Sequence, residues 1–184
     1  MRSRKSVAAA LAAVFAALYA IGVVLLAPIS FQVFQVRIAD ALLPLTILFG
    51  WPAILGLALG ALVANVFGGL GPVDIVGGSV ANLVGGYVAW RIALNRGRRW
   101  VPLALGLEIV IVTLVVGTYL SYLLAIPLEI GLFGMMVGSI IAIGILGSFV
   151  LYALSTERIV MVLRSYGIRV YAWQTSKREP THDV

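Results

Sequence analysis

The chain has 184 residues, 62% of them hydrophobic and 11% charged, against roughly 45–50% and 25% for an ordinary soluble domain. With a mean hydropathy of +1.10, a single domain of this size has more apolar surface than its own core can bury, which excludes a soluble globule and leaves lipid to cover the rest. The net charge of +6 is gathered into a few clusters between apolar runs, a topology signal and not a nucleic-acid surface.

There is no Cys, and the one His, His182, lies in the polar tail. Disulfide, zinc, thiol and His-dependent hydrolytic chemistry therefore lack material. No cofactor or metal is expected on this chain.

The first predicted element follows Met1-Arg-Ser-Arg-Lys5. Its apolar run, Val7 to Ala27, is longer than a signal-peptide core and no A-x-A site closes it, so it reads as a retained first transmembrane helix. Two rows of alanines run along it at four-residue intervals, Ala8, Ala12, Ala16 and Ala20, and Ala9, Ala13 and Ala17. Such faces let another helix approach closely, either within the bundle or from a partner.

After the polar loop Ser30 to Gln35 come two short apolar pieces, Ile38–Phe49 and Pro52–Phe67, joined by Gly50-Trp51-Pro52 and punctured by Pro44. They read as two short crossings or as a re-entrant hairpin, and both alternatives return the chain to the same side. Three further spans are expected at Val73–Trp90, Val101–Ala125 and about Ile130–Ser155, each near the ~20 residues that cross a bilayer. Glu157 to Tyr171 either extends the last helix or lies on the membrane surface. Residues 1–173 thus form one integral membrane domain, and 174–184 a polar tail expected to be disordered.

With the N-terminus in the cytoplasm, every basic residue except Arg37 falls inside, as the positive-inside rule requires. Both termini are then cytoplasmic, and Trp51, Trp90, Trp100 and Trp173 all lie at cytoplasmic boundaries. The fold class is an all-α, multi-pass bundle of the plasma membrane, six helices with the second and third short.

Charges at membrane depth cost about 2.5–3.5 kcal/mol on insertion scales, so they mark cavities or partners. Arg37 and Asp40 are i, i+3 neighbours at the outer mouth, either a self-satisfied pair or ligand groups. Phe31, Gln32, Phe34 and Gln35 alternate apolar and amide groups, suited to covering a planar polar ligand. Asn65 and Asp74 flank a glycine-rich outer loop. Ser79 and Asn82 serve either interhelical hydrogen bonding or a ligand. Tyr119 lies toward the outside, and Glu129 either caps its helix or turns inward.

Glu108 lies about 16 Å below Tyr119 by helix rise, too far for one compact ligand to touch both. Its readings are a protonated side chain, a pair inside the bundle, or a place near the cytoplasmic interface. Arg37 against Asp40, Asp74 and Glu129 leaves the outer set acidic, which suits a ligand rich in amines and N–H donors.

Three stretches, Val36-Arg-Ile-Ala-Asp-Ala-Leu42, Gly56-Leu-Ala-Leu-Gly-Ala-Leu-Val-Ala-Asn65 and Val73-Asp-Ile-Val-Gly-Gly-Ser79, the last soon after Gly68-Gly69, resemble the QueT family. That family supplies substrate-binding S components of energy-coupling factor (ECF) transporters. The resemblance implies six helices, an outer pocket capped by the loop after the first helix, and import of queuosine precursors, which are 7-deazaguanines. It also implies a coupling (T) subunit, docked on the alanine face (Ala8, Ala12, Ala16, Ala9, Ala13), and two partner ATPases. No G-x-x-x-x-G-K-[ST] phosphate loop occurs in the chain itself, as that division of labour requires.

The resemblance points to Arg37, Asp40, Asn65 and Asp74 for the pocket. Topology adds Ser79, Asn82, Tyr119, Glu129, Phe34 and Gln35. Competing readings are an intramembrane enzyme using Asp40, Asp74 and Glu108, a stand-alone carrier, and a structural membrane protein. The absence of His and Cys from the spans weighs against the enzyme.

Overall fold

A computed structural model describes residues 4–27 and 37–171. Seven helices are found among them: α1 (Arg4–Leu25), α2 (Ile38–Phe49), α3 (Trp51–Gly68), α4 (Pro72–Ala93), α5 (Val101–Leu123), α6 (Leu128–Leu154) and the short α7 (Glu157–Ser165). Proline in the first turn opens α3, α4 and α5, where its missing N–H costs no helical hydrogen bond.

The two apolar pieces before Asn65 are separate helices. α2 is 3₁₀-helical over Ile38–Leu45, around Pro44, and α-helical over Thr46–Phe49. The reversal into α3 is made at Gly50, whose φ of 61° lies in the region that favours glycine.

Four helices are long and apolar enough to cross a membrane: Lys5–Leu25, Trp51–Gly68, Arg98–Leu123 and Leu128–Leu154. This set differs from the expected one at two places. Residues 52–67, taken as short for a span, belong to an 18-residue helix that qualifies. α4, expected to qualify, has 22 residues but carries Asp74 in its first turn and Ser79, Asn82 and four glycines further along, so its composition is too polar. Its polar residues are the reason it matters below.

Neighbouring elements pack through small residues, as helices in lipid do. α1 and α3 run parallel, with the Ala12 and Ala16 carbonyls against Gly56 and Gly60. α3 and α4 are antiparallel, Ser79 Oγ donating to the Ala58 carbonyl at 2.8 Å. α4 and α5 are antiparallel as well, Gly77 against Tyr119 and Gly85 against Glu108 and Val112. Gly117 and Gly131 bring α5 and α6 together.

Within α6, residues Ile140–Gly147 are π-helical. Gly147, at the end of that segment, receives the Pro44 ring: a Cβ there would come within 2.6 Å of Pro44 Cγ. The irregular stretch of α2 thus packs on the irregular stretch of α6. Large apolar side chains such as Leu59, Phe67, Val76, Leu114, Phe133 and Phe149 remain exposed around the bundle, the surface expected to meet lipid.

The two ends of the bundle differ. At one, Trp51, Tyr87, Trp90 and Tyr171 stack in sequence at centroid distances of 5.6 to 6.2 Å, and Arg98 lies over Tyr152 at 4.3 Å. The chain after α7 does not extend the last helix: it turns at Gly167 and ties Tyr171 N–H to the Leu48 carbonyl at 2.7 Å. The opposite end carries Arg37, Asn65, Asp74 and Tyr119.

Candidate functional site

The polar groups of the spans converge on one seam of α4. Asp74, Gly78, Ala81, Asn82, Gly85, Gly86 and Ala89 are all buried and recur at three- and four-residue intervals, one face of a helix. Its lack of bulk lets side chains from α1, α2, α3 and α5 reach over it.

At the upper level, Arg37 precedes α2 and its Nη2 lies 3.7 Å from Asp74 Oδ1. The Tyr119 hydroxyl of α5 donates to that same oxygen at 2.9 Å. Asn65, at the end of α3, donates its amide N–H to the Asp74 backbone carbonyl at 2.7 Å. All three converge on Gly78: a Cβ there would stand 3.4 Å from Tyr119 Oη and 3.6 Å from Arg37 Nη1, and against Asn65 Nδ2. Arg37 and Asp74 are 4% and 0% exposed, so this is an ion pair inside the bundle, where partial desolvation makes partner loss costly.

One level down, the Tyr19 hydroxyl of α1 donates to Asp40 Oδ1 at 2.5 Å. Both residues are buried, and Asn82 faces the same hydroxyl. Lower still, Glu108 of α5 faces Gly85, its Cγ 3.5 Å from where a Cβ would be, and Thr46 of α2 faces Gly86. Among the described residues, several buried polar atoms along the seam make no hydrogen bond: Asn65 Oδ1, Asp74 Oδ2, Asn82 Nδ2, Thr46 Oγ1 and both Glu108 oxygens. Buried polar atoms are otherwise nearly always paired, so the seam has acceptors and donors to offer. A shallow groove of about 510 Å³, lined by Leu114, Val115, Thr118, Tyr119 and Tyr122, reaches it through Tyr119.

Of the residues singled out in the sequence, Arg37, Asp40, Asn65, Asp74, Asn82 and Tyr119 come together on the seam. Arg37 and Asp40 act on each other through their charges, and each also has a partner on another helix, Asp74 and Tyr19. Three expectations are corrected. Glu129 is exposed in the first turn of α6, where a carboxylate favours the positive end of the helix dipole, and it does not join the seam. Ser79 donates its hydroxyl hydrogen bond to the Ala58 carbonyl and acts in helix packing. The row holding Ala12 and Ala16 faces α3 inside the bundle, with Ala8 half-buried on the same row, whereas Ala9, Ala13 and Ala17 are exposed. Phe34 and Gln35 lie outside the described residues.

Tyr19 was missed in the sequence. The available signal was that it is the one phenol in an otherwise apolar, alanine-rich span, and a buried Tyr hydroxyl needs a partner. Tyr19→Phe is expected to leave Asp40 Oδ1 without its donor and to lower stability by about 1–2 kcal/mol, the range for interhelical hydrogen bonds in model membrane helices. Thermal unfolding of the purified variant checks this.

The QueT transporter family model matches residues 9–156, from α1 into the turn after α6. The chain belongs to the QueT transporter family. No match is found among curated proteins or among solved structures. As a QueT protein it is a membrane transporter component of the S type, and the buried seam lies wholly within the matched residues.

Proposed function

We propose that this QueT protein captures a queuosine precursor, a 7-deazaguanine, from outside the cell and delivers it through an ECF module driven by two ATPases. The observation that carries the reading is the buried seam at the Arg37 end: one guanidinium and two carboxyl groups held by tyrosine and asparagine, with Asp74 Oδ2 and Asn65 Oδ1 left unsatisfied. Such groups complement a small planar molecule rich in N–H donors, and no covalent step is needed.

In this reading the Arg37 end faces outward. The opposite end holds the Arg91, Arg96, Arg98 and Arg99 cluster and the aromatic stack around Trp90, so the positive-inside rule sets it in the cytoplasm. All six helices α1 to α6 then cross the plasma membrane, and both termini are inside. The coupling subunit docks on the exposed row Ala9, Ala13 and Ala17 of α1, where small side chains permit close approach.

Vesicles carrying the protein with its coupling subunit and ATPases should accumulate labelled 7-deazaguanine when ATP is supplied, and vesicles with the protein alone should not. Accumulation by the protein alone, without ATP, would contradict the ECF reading and favour a stand-alone carrier. Asp74→Asn, which keeps the volume and removes the charge opposite Arg37, is expected to weaken binding about tenfold or more, the scale of a charge-assisted hydrogen bond. Titration of the purified variant measures it.

A further inference from the structure

The lower end of the seam holds a carboxyl group that the upper cluster does not use. Glu108 is 0% exposed, and neither of its oxygens has a hydrogen-bond partner. Asp40 and Asp74 each accept a tyrosine hydroxyl; Glu108 accepts nothing. Among the described residues, the ionisable group acting on it is Asp40, another carboxyl, so it is not half of an ion pair. Across the bundle Glu108 faces Gly85 of α4, which has no side chain to donate. A carboxyl group at this depth with no partner is expensive and is held in place for a use.

Its position along the seam suggests that use. Arg37, Asn65 and Tyr119 converge at Gly78 and Glu108 lies opposite Gly85, seven residues or about 10 Å further along α4. Asn82 of α4 lies between those two levels, beside Tyr19 and Asp40. A planar two-ring heterocycle bound between these levels, in place of side-chain contacts that now cover the face, would have its substituted end at Gly78 and its far edge at Gly85.

We propose that Glu108 forms the inner end of the ligand site and accepts two parallel N–H groups, a ring N–H and an adjacent exocyclic amine, from the far edge of the bound heterocycle. The proposal rests on the reading of the seam as a 7-deazaguanine site and adds to it the residue that selects the ligand's amino edge. A carboxylate has two oxygens in one plane and matches such an edge bidentately. An analogue without the amine leaves one buried oxygen unpaired, the arrangement that gives strong discrimination.

The test compares 7-deazaguanine with 7-deazahypoxanthine, which lacks the exocyclic amine, on wild type, Glu108→Gln and Glu108→Asp by calorimetric titration. Wild type should prefer 7-deazaguanine by about tenfold to a hundredfold. Glu108→Gln should bind it correspondingly less well and lose the preference, while Glu108→Asp should retain part of it. If wild type shows no preference between the two, the proposal is overturned, whatever the variants do. If wild type prefers 7-deazaguanine and Glu108→Gln keeps both affinity and preference, Glu108 is a packing residue and only this proposal falls. If wild type binds neither compound, the 7-deazaguanine reading falls and takes the proposal with it.

Discussion

Replacing Gly60 with valine should cost at least about 3 kcal/mol of stability, the top of the usual range for overpacking, and should abolish ligand binding in whatever fraction stays folded. A Cβ on Gly60 would lie 2.7 Å from the Ala16 carbonyl oxygen and 2.8 Å from Tyr19 Cβ. The first obstacle is backbone, so no side chain can swing aside and α1 itself must move away from α3. That movement withdraws Tyr19, whose hydroxyl holds Asp40. In lipid there is no water to drive the helices back together, and association depends on this packing. The check is thermal unfolding of the purified variant alongside Ala17→Val, a substitution on the exposed side of α1 that should leave stability within about 0.5 kcal/mol.

Arg37→Met should be nearly as damaging, at about 3–5 kcal/mol, the cost of removing one member of a buried ion pair. Among the described residues buried in the spans, Arg37 is the one cation beside three carboxyl groups, Asp40, Asp74 and Glu108. Its loss leaves Asp74, 3.7 Å away, without compensation in a medium of low polarity. The double substitution Arg37→Met with Asp74→Asn should recover a large part of the stability, because it removes both charges, while binding stays lost. Equal instability of the single and double variants would show that Arg37 is held by something other than Asp74. The four-way comparison of unfolding temperatures isolates that coupling.

Much of this arrangement was legible in the sequence, for one physical reason: in a chain with few polar residues in its spans, each of them needs a partner. Arg37, Asp40, Asn65, Asp74 and Asn82 could be picked out on that ground alone, and they meet on α4. What the sequence could not show was who pairs with whom. Arg37 and Asp40 look self-sufficient at i, i+3 spacing, but besides acting on each other they reach Asp74 of α4 and Tyr19 of α1.

Glu129 and Ser79 misled in the opposite way. A helix terminus and a neighbouring carbonyl satisfy them locally, and local satisfaction leaves no trace in composition. Tyr19 was hidden because its Asp40 partner lies 21 residues away. Glu108 faces Gly85 across the bundle, a placement that spacing along α5 alone does not show. The glycines and polar residues that make α4 the wall of the seam also lower its hydropathy below that of the neighbouring helices.

The central claim is that the seam binds a donor-rich planar heterocycle, and direct titration of the wild-type protein in lipid nanodiscs with 7-deazaguanine, with adenine as control, tests it most directly. One 7-deazaguanine should bind saturably per chain, the unfolding temperature should rise with ligand concentration as a native-state ligand requires, and adenine should give no comparable response. A folded sample that binds neither compound, or both equally, would contradict it.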